Sequence, residues 1–283
     1  MQTNQNQKEK LAEMLKHYSE KYGSLSKAAN SLKGVSAAII SQILNGNWEQ
    51  ISDEMWTKIG VQIGYTSKEL VIVQTNNYKA LTKLLKDAAL NSTVYAVIDN
   101  AGSSKTITTK HFAETNKQAY RIECRAYWNR KMFLSELLRV VGRDASGLNV
   151  NEMVELIVKT IKVQDSPVII LDEFDKLNDE VLYFFITLYN ELQDECGIVA
   201  CATDHLEKRI QRGLRLNKKG YKEIFSRFGR KFITLPGVNS TDIHQICLAN
   251  GITSQGDIKE VLQDCEFDLR RVKRKIHALK NAA

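Results

Sequence analysis

Only two of the 283 residues are proline, Pro167 and Pro236, so little stands in the way of helix over most of the chain. The five cysteines (Cys124, Cys196, Cys201, Cys247, Cys265) form no C-x-x-C pair and are odd in number. That argues against a zinc site or a disulfide frame and for reduced thiols. Apolar runs stay far shorter than the roughly 20 residues that cross a bilayer. The polar start MQTNQNQKEK carries no signal-peptide core. The expectation is a cytoplasmic protein with no membrane partner. A hydrophobic content of 43% and a charged content of 26% are those of a globular chain long enough for two or three domains.

What the chain does have is positive charge in clusters. The net charge is +7, yet Glu207–Lys231 alone holds ten Lys/Arg against Glu207 and Glu223, a local +8. A second cluster, RRVKRK, spans 270–275. Segments of this density attract polyanions by counterion release. The plainer alternative is a solvated helical face.

Three parts follow along the chain. Leu11, Met14, Leu15 and Tyr18 fall at helical spacing in residues 1–22. A short helix (Ser26–Leu32), a turn at Gly34 and a second helix (Ser36–Leu44) closed by Asn45-Gly46 match a helix-turn-helix. In its second helix, Ile40, Ile43 and Leu44 share one face, which leaves Ser36, Ala37, Ser41, Gln42 and Asn45 for a groove or for solvent. Charges from Ser24 to Tyr65 sum to zero, unusual for a dedicated DNA reader. The module is therefore a weak DNA contact, a protein-docking piece, or a small domain that binds nothing alone. Glu69–Asn91 reads as an amphipathic linker helix.

From Val94 the pattern is strand, loop, helix, repeated, which predicts a three-layer α/β domain with a parallel sheet. The stretch VYAVIDNAGSSKTITT (94–109) has the context of a phosphate loop, G-x-x-x-x-G-K-[ST]. Asp99 and Ser104 stand where the two glycines belong, and only Gly102 remains inside the loop. Ser104 is expected to be tolerated with a negative φ, and Asp99 to be tolerated if it turns away from a bound phosphate. In VIILDEFDKL (168–177) a buried strand ends in Asp172-Glu173, 67 residues beyond Lys105. Carboxylates at the carboxyl end of a parallel strand lie where such sheets bind ligands. There Asp172 can hold Mg²⁺ through water and Glu173 can orient an attacking water. The strand GIVACATD (197–204) ends at Thr203, which suits either γ-phosphate sensing or the cap of the next helix. FSRFGRKFITL (225–235) offers Arg227 and Arg230 before a last strand, and Arg270 opens a helix in a small helical lid.

This order of elements resembles that of AAA+ ATPases. More narrowly it is similar to the MuB-like transposition target-selection ATPases, with TnsC and IstB as relatives. The resemblance covers about residues 20–280 and rests on K-T at 105–106, the V-I-I-L-D-E-x-D-x-L run and the F-S-R segment. The A-T-D-H-L stretch resembles the T-D-R-L of the related TnsC. It implies an AAA+ P-loop α/β core (93–237) with a C-terminal helical lid (238–283). An all-α helix-turn-helix domain (1–66) and a linker helix (67–92) precede the core. ATP and Mg²⁺ are the implied cofactors, with Asn100, Gly102, Ser103, Ser104 and Lys105 around the phosphates and Thr106 and Asp172 at the metal. The resemblance makes Glu173 the catalytic base, Thr203 the first sensor, Arg227 the arginine finger and Arg270 the lid sensor. Implied partners are double-stranded DNA bound without sequence preference, a transposase, and further copies of the chain in a helical filament. Arg125, Trp128, Arg130 and Lys131 in RAYWNRK are the DNA candidates, with Ser36 and Gln42 on the helix-turn-helix. A replication-type initiator or helicase loader, and a non-hydrolysing DNA-binding scaffold, are the alternatives. A plain sequence-specific repressor leaves the α/β part unexplained.

Overall fold

The computed structural model describes residues 5–64 and 70–282. The N-terminal unit holds α1 (Gln5–Tyr22), α2 (Leu25–Asn30), α3 (Ala37–Leu44) and α4 (Asp53–Ile63). Serines start the last three: Ser24, Ser36 and Ser52 accept from the backbone N–H of Lys27, Ile39 and Met55, which satisfies donors a helix start leaves open. Gly34 (φ +67°) makes the turn between α2 and α3, as the helix-turn-helix pattern requires. Leu11, Leu15, Ile40, Ile43, Trp56 and Ile59 are all nearly inaccessible and form this unit's core. The expected 66/67 boundary lies outside the described residues.

The segment expected to be helical from Glu69 differs from that expectation; Glu69 itself lies outside the described residues. Residues 70–75 form neither helix nor strand, and Val71 N–H donates to Asn250 Oδ1 at 2.8 Å. Helix α5 (Asn76–Asn91) begins only after Thr75, whose side chain caps it. Nor is α5 a free linker. Leu81, Leu85 and Ala88 pack into the sheet core, and a Cβ on Gly197 would come within 2.2 Å of the Ala88 carbonyl oxygen.

The α/β core then runs β1 (Val94–Ile98), α6 (Lys105–Thr115), β2 (Ala119–Glu123), α7 (Arg130–Val140), α8 (Val150–Lys162), β3 (Val168–Asp172), α9 (Asp179–Leu192), β4 (Gly197–Ala202), α10 (Asp204–Arg215), α11 (Tyr221–Arg227) and the two-residue β5 (Ile233–Thr234). All ladders are parallel, in the order β2-β3-β4-β1-β5. Side chains alternate across the sheet as a period of two requires. Ile169, Leu171, Ile198 and Ala200 face the helices α7 to α11, while Ile170, Val199 and Cys201 face α5 and α6. This is a three-layer α/β fold. The lid holds α12 (Ser240–Ala249), α13 (Gln255–Asp264) and α14 (Leu269–Ala282) around Ile246, Val261, Val272 and Ile276, with Leu70 and Val73 packed on it. Among the described residues no helix is long and apolar enough to cross a membrane.

The N-terminal unit is fastened to the core at the middle and the C-terminal end of α6. Lys110 Nζ donates to the Gly64 carbonyl at 3.1 Å. Lys21 Nζ donates to the carbonyls of Ala113 at 2.6 Å and Ala119 at 3.1 Å. Burial lowers the Lys21 pKa from 10.5 to about 8, with Glu114 opposing. Between those two values the folded chain binds fewer protons than the unfolded one, so this group makes stability rise with pH. Relative to Lys21→Met, the wild type is expected to gain up to about 3 kcal/mol between pH 7 and pH 10.5. Parallel denaturant titrations of the two proteins check this, and a pH-independent difference contradicts it.

Candidate functional site

A cavity of about 260 Å³ lies at the carboxyl ends of β1, β3 and β4, between the loop after β1 and the lid. Gly102, Ser103, Ser104, Lys105 and Thr106 line one wall; Asp172, Glu173 and Thr203 line the floor, and Arg270 and Lys273 come from α14. Nine of the expected site residues thus meet here: Gly102, Ser103 and Ser104 of the loop, Lys105 and Thr106 of α6, Asp172 and Glu173 at the end of β3, Thr203 after β4, and Arg270 of α14. Asn100 does not line the cavity; its carbonyl faces Lys105 instead.

The loop is closed around its own lysine. Lys105 Nζ donates to the carbonyls of Asp99 (2.7 Å) and Asn100 (2.9 Å) and to Ser103 Oγ (3.1 Å). Burial pushes this ammonium below its ordinary pKa, while Asp99, Asp172 and Asp175 pull it back up. Asp99 turns away from the cavity, as required of a carboxylate in this position. Its Oδ2 accepts from Asn77 Nδ2 at 3.1 Å and its Oδ1 from the Asn100 N–H at 2.8 Å. Asn77, fully buried, also donates to the Ser103 carbonyl and accepts from the Gly237 N–H.

The expectation for Ser104 is corrected. Its φ is +77°, left-handed, because the chain must turn there into α6 just as a glycine would. Its Oγ is buried without a partner, and it gives α6 no side-chain cap. A non-glycine residue in this region costs about 1–2 kcal/mol.

Asp172, 1% exposed, is not free. Arg121 of β2 holds its Oδ2 at 2.6 Å, and the same guanidinium donates from Nε to Thr109 Oγ1 at 3.1 Å. Glu173 takes a left-handed conformation (φ +55°) and pairs with Lys176. Thr203 does not cap α10: its hydroxyl donates to Asp175 Oδ2 at 2.6 Å, which turns it toward β3. Above the loop, Asp268 of the lid approaches Gly102 so closely that a Cβ there would lie 2.0 Å from its carboxylate. The Leu269 N–H donates to the Gly102 carbonyl at 3.1 Å.

Other expected residues stand apart. Arg227 sits at the opposite, amino end of the strands, its guanidinium 5.1 Å from the Tyr189 ring centre and its Nε buried without a partner. Arg230 is exposed. In RAYWNRK, Arg125 pairs with Glu123 at 3.1 Å and Arg130 with Glu180 at 2.7 Å; Lys131 is exposed. Trp128 is corrected from DNA contact to core, because it is 8% exposed and packs edge-on against Phe133. Ser36 is spent on capping α3, and Gln42 is half-buried.

Sequence reasoning missed Arg121, Asn77, Asp175 and Asp268. Only Asp175 had a signal, the second aspartate of DEFD.

Residues 89–210 match the family model described as the AAA domain. No curated protein matches the chain. Among solved structures the chain is similar to the Aeropyrum pernix Orc1 protein in complex with DNA, with a TM-score of 0.52 and 16% identity. The match covers 73% of this chain and 59% of that one.

Two substitutions test the site's energetics. Arg121→Ala strands a buried carboxylate and is expected to lower stability by about 3 kcal/mol. Ser104→Gly relieves the left-handed strain and is expected to raise it by about 1 kcal/mol. Thermal and denaturant melts measure both, and a stabilised Arg121→Ala or a destabilised Ser104→Gly contradicts this geometry. The parallel β2-β3-β4-β1-β5 sheet, the loop leading into α6 and the helical lid together give this chain the AAA+ fold.

Proposed function

We propose that this chain is an ATP-dependent protein that binds double-stranded DNA without sequence preference, assembles on it as a helical filament and presents it to a partner transposase. The observation that carries the nucleotide part is the meeting of Lys105, Thr106, Asp172, Glu173, Thr203 and Arg270 around one cavity. The transposition part rests on the resemblance to MuB-like ATPases.

The residues fit a nucleoside triphosphate. The start of α6 has no side-chain cap, so its first N–H groups are open to an anion. Lys105 can exchange loop carbonyls for phosphate oxygens, and Arg270 and Lys273 add charge from the lid. On the far wall, Val71, Ile246 and Val272 offer an apolar slot beside Tyr78 and His111, which are hydrogen-bonded at 2.8 Å. Thr106 and one oxygen of Asp172 would hold the divalent cation, the latter shared with Arg121. Bound there, ATP and Mg²⁺ supply the transferable γ-phosphoryl group and the charge that neutralises it.

The chain's own carboxylates explain why turnover is expected to be slow. Glu173 must release Lys176 before it can orient a water, and Asp172 is already neutralised by Arg121. Thr203, whose hydroxyl donates to Asp175, takes the role of sensor of the outermost phosphate in this reading. Arg227, distant from its own cavity, acts as a finger only on a neighbouring copy.

A second reading, a replication-type initiator, is favoured by the similarity to an Orc1 protein bound to DNA. Electron microscopy separates the two. Continuous filaments on random-sequence duplex support the first, and discrete complexes at preferred sequences support the second. With ATP the full chain is expected to bind duplex DNA; with ADP, or as Lys105→Ala, affinity falls by at least about tenfold, roughly 1.4 kcal/mol. Binding that ignores both nucleotide and Lys105 contradicts the proposal and favours a non-hydrolysing scaffold.

A further inference from the structure

The three basic stretches of the chain have different fates in the fold. In RRVKRK, Arg271 pairs with Glu266 at 2.6 Å and Lys275 with Glu260 at 3.0 Å, while Arg270 and Lys273 line the cavity. In RAYWNRK both arginines are paired. Along Glu207–Lys231, in contrast, Arg212, Arg215, Lys219, Lys222, Arg230 and Lys231 are exposed and make no ion pair among the described residues.

Helix α10 shows how this charge is sorted. Leu206, Ile210 and Gly213 are buried along one side, and the Tyr221 ring presses so near Gly213 that a Cβ there would lie 2.1 Å away. Arg209, on the flank, is drawn inward: it pairs with Asp179 and donates to the Leu177 carbonyl, tying α10 to α9. Arg212 and Arg215, three residues apart, stand opposite the buried side. Like charges at that spacing repel one another, and Lys219 and Lys222 extend the same sign into the turn and α11.

We infer that the outer face of α10 and the start of α11 is the surface that grips the phosphate backbone of duplex DNA. This rests on the DNA-binding reading above and gives it a location that differs from RAYWNRK and from the helix-turn-helix. The occupant is a polyanion because the face is cationic and unpaired. It is a duplex because the face offers no stacking platform: Tyr221 and Phe228 are buried and Phe225 is half-buried. Sequence indifference follows, since backbone contacts carry no base information.

The test compares two triple variants of the full chain with equal loss of charge, Arg212→Gln/Arg215→Gln/Lys219→Gln and Lys79→Gln/Lys83→Gln/Lys86→Gln. The second set is exposed on α5. Fluorescence anisotropy with a labelled random-sequence duplex and ATP, over a range of KCl, gives the slope of log affinity against log salt. The α10 triple is expected to flatten that slope by roughly 2 to 3 and to lower affinity on the order of tenfold or more, while the α5 triple changes it by less than about 1. Binding of a fluorescent ATP analogue, expected to be unchanged in both, shows that each variant is folded. Equal effects of the two triples overturn the inference while leaving DNA binding intact. Absence of DNA binding by the wild type overturns both readings. Loss of single-strand binding alone, with duplex binding retained, also overturns it.

Discussion

The site depends on a lysine that has already found three partners. The Lys105 ammonium ties together Asp99, Asn100 and Ser103, so the loop is closed before any anion enters. A phosphate must therefore replace internal hydrogen bonds, and what it gains is a net difference rather than the full strength of a charge-assisted contact. The same closure explains how two departures from glycine are accommodated. Asp99 is turned away and held by Asn77, and Ser104 accepts a left-handed backbone with its hydroxyl left unsatisfied.

Around this loop the fold keeps its charges in pairs that can be opened. Arg121 neutralises Asp172, Lys176 neutralises Glu173, and Asp175 fixes Thr203. Helix α6 links the loop to the N-terminal unit: it begins at Lys105, and Lys110 and Ala113 within it meet Gly64 and Lys21. The lid meets the loop from the other side through Leu269 and Asp268. The helix-turn-helix unit and the lid are therefore joined through one short segment, the loop at Gly102 and the helix that follows it.

Much of the fold was legible in the sequence because it depends on local signals. The apolar runs of β1, β3 and β4, the helical spacing of Leu11, Met14, Leu15 and Tyr18, and the glycine at 34 each act within a few residues. The gathering of Lys105, Asp172 and Thr203 followed from strand ends in a parallel sheet. What escaped notice depends on partners far apart in the chain. Nothing in Arg121 itself marks it as the partner of Asp172, since its role exists only once β2 lies beside β3. Asn77 and Asp268 are equally silent, joining α5 and the lid to a loop remote in sequence. Trp128 was misplaced because an aromatic residue among arginines looks the same whether it stacks on a base or fills a core.

The central claim is that this altered loop still holds ATP. Isothermal titration of ATP with Mg²⁺ into the 283-residue chain, without DNA, tests it most directly. The account predicts saturable binding at one site per chain. Absence of binding would mean that Ser104 and the internally satisfied Lys105 have closed the cradle for good.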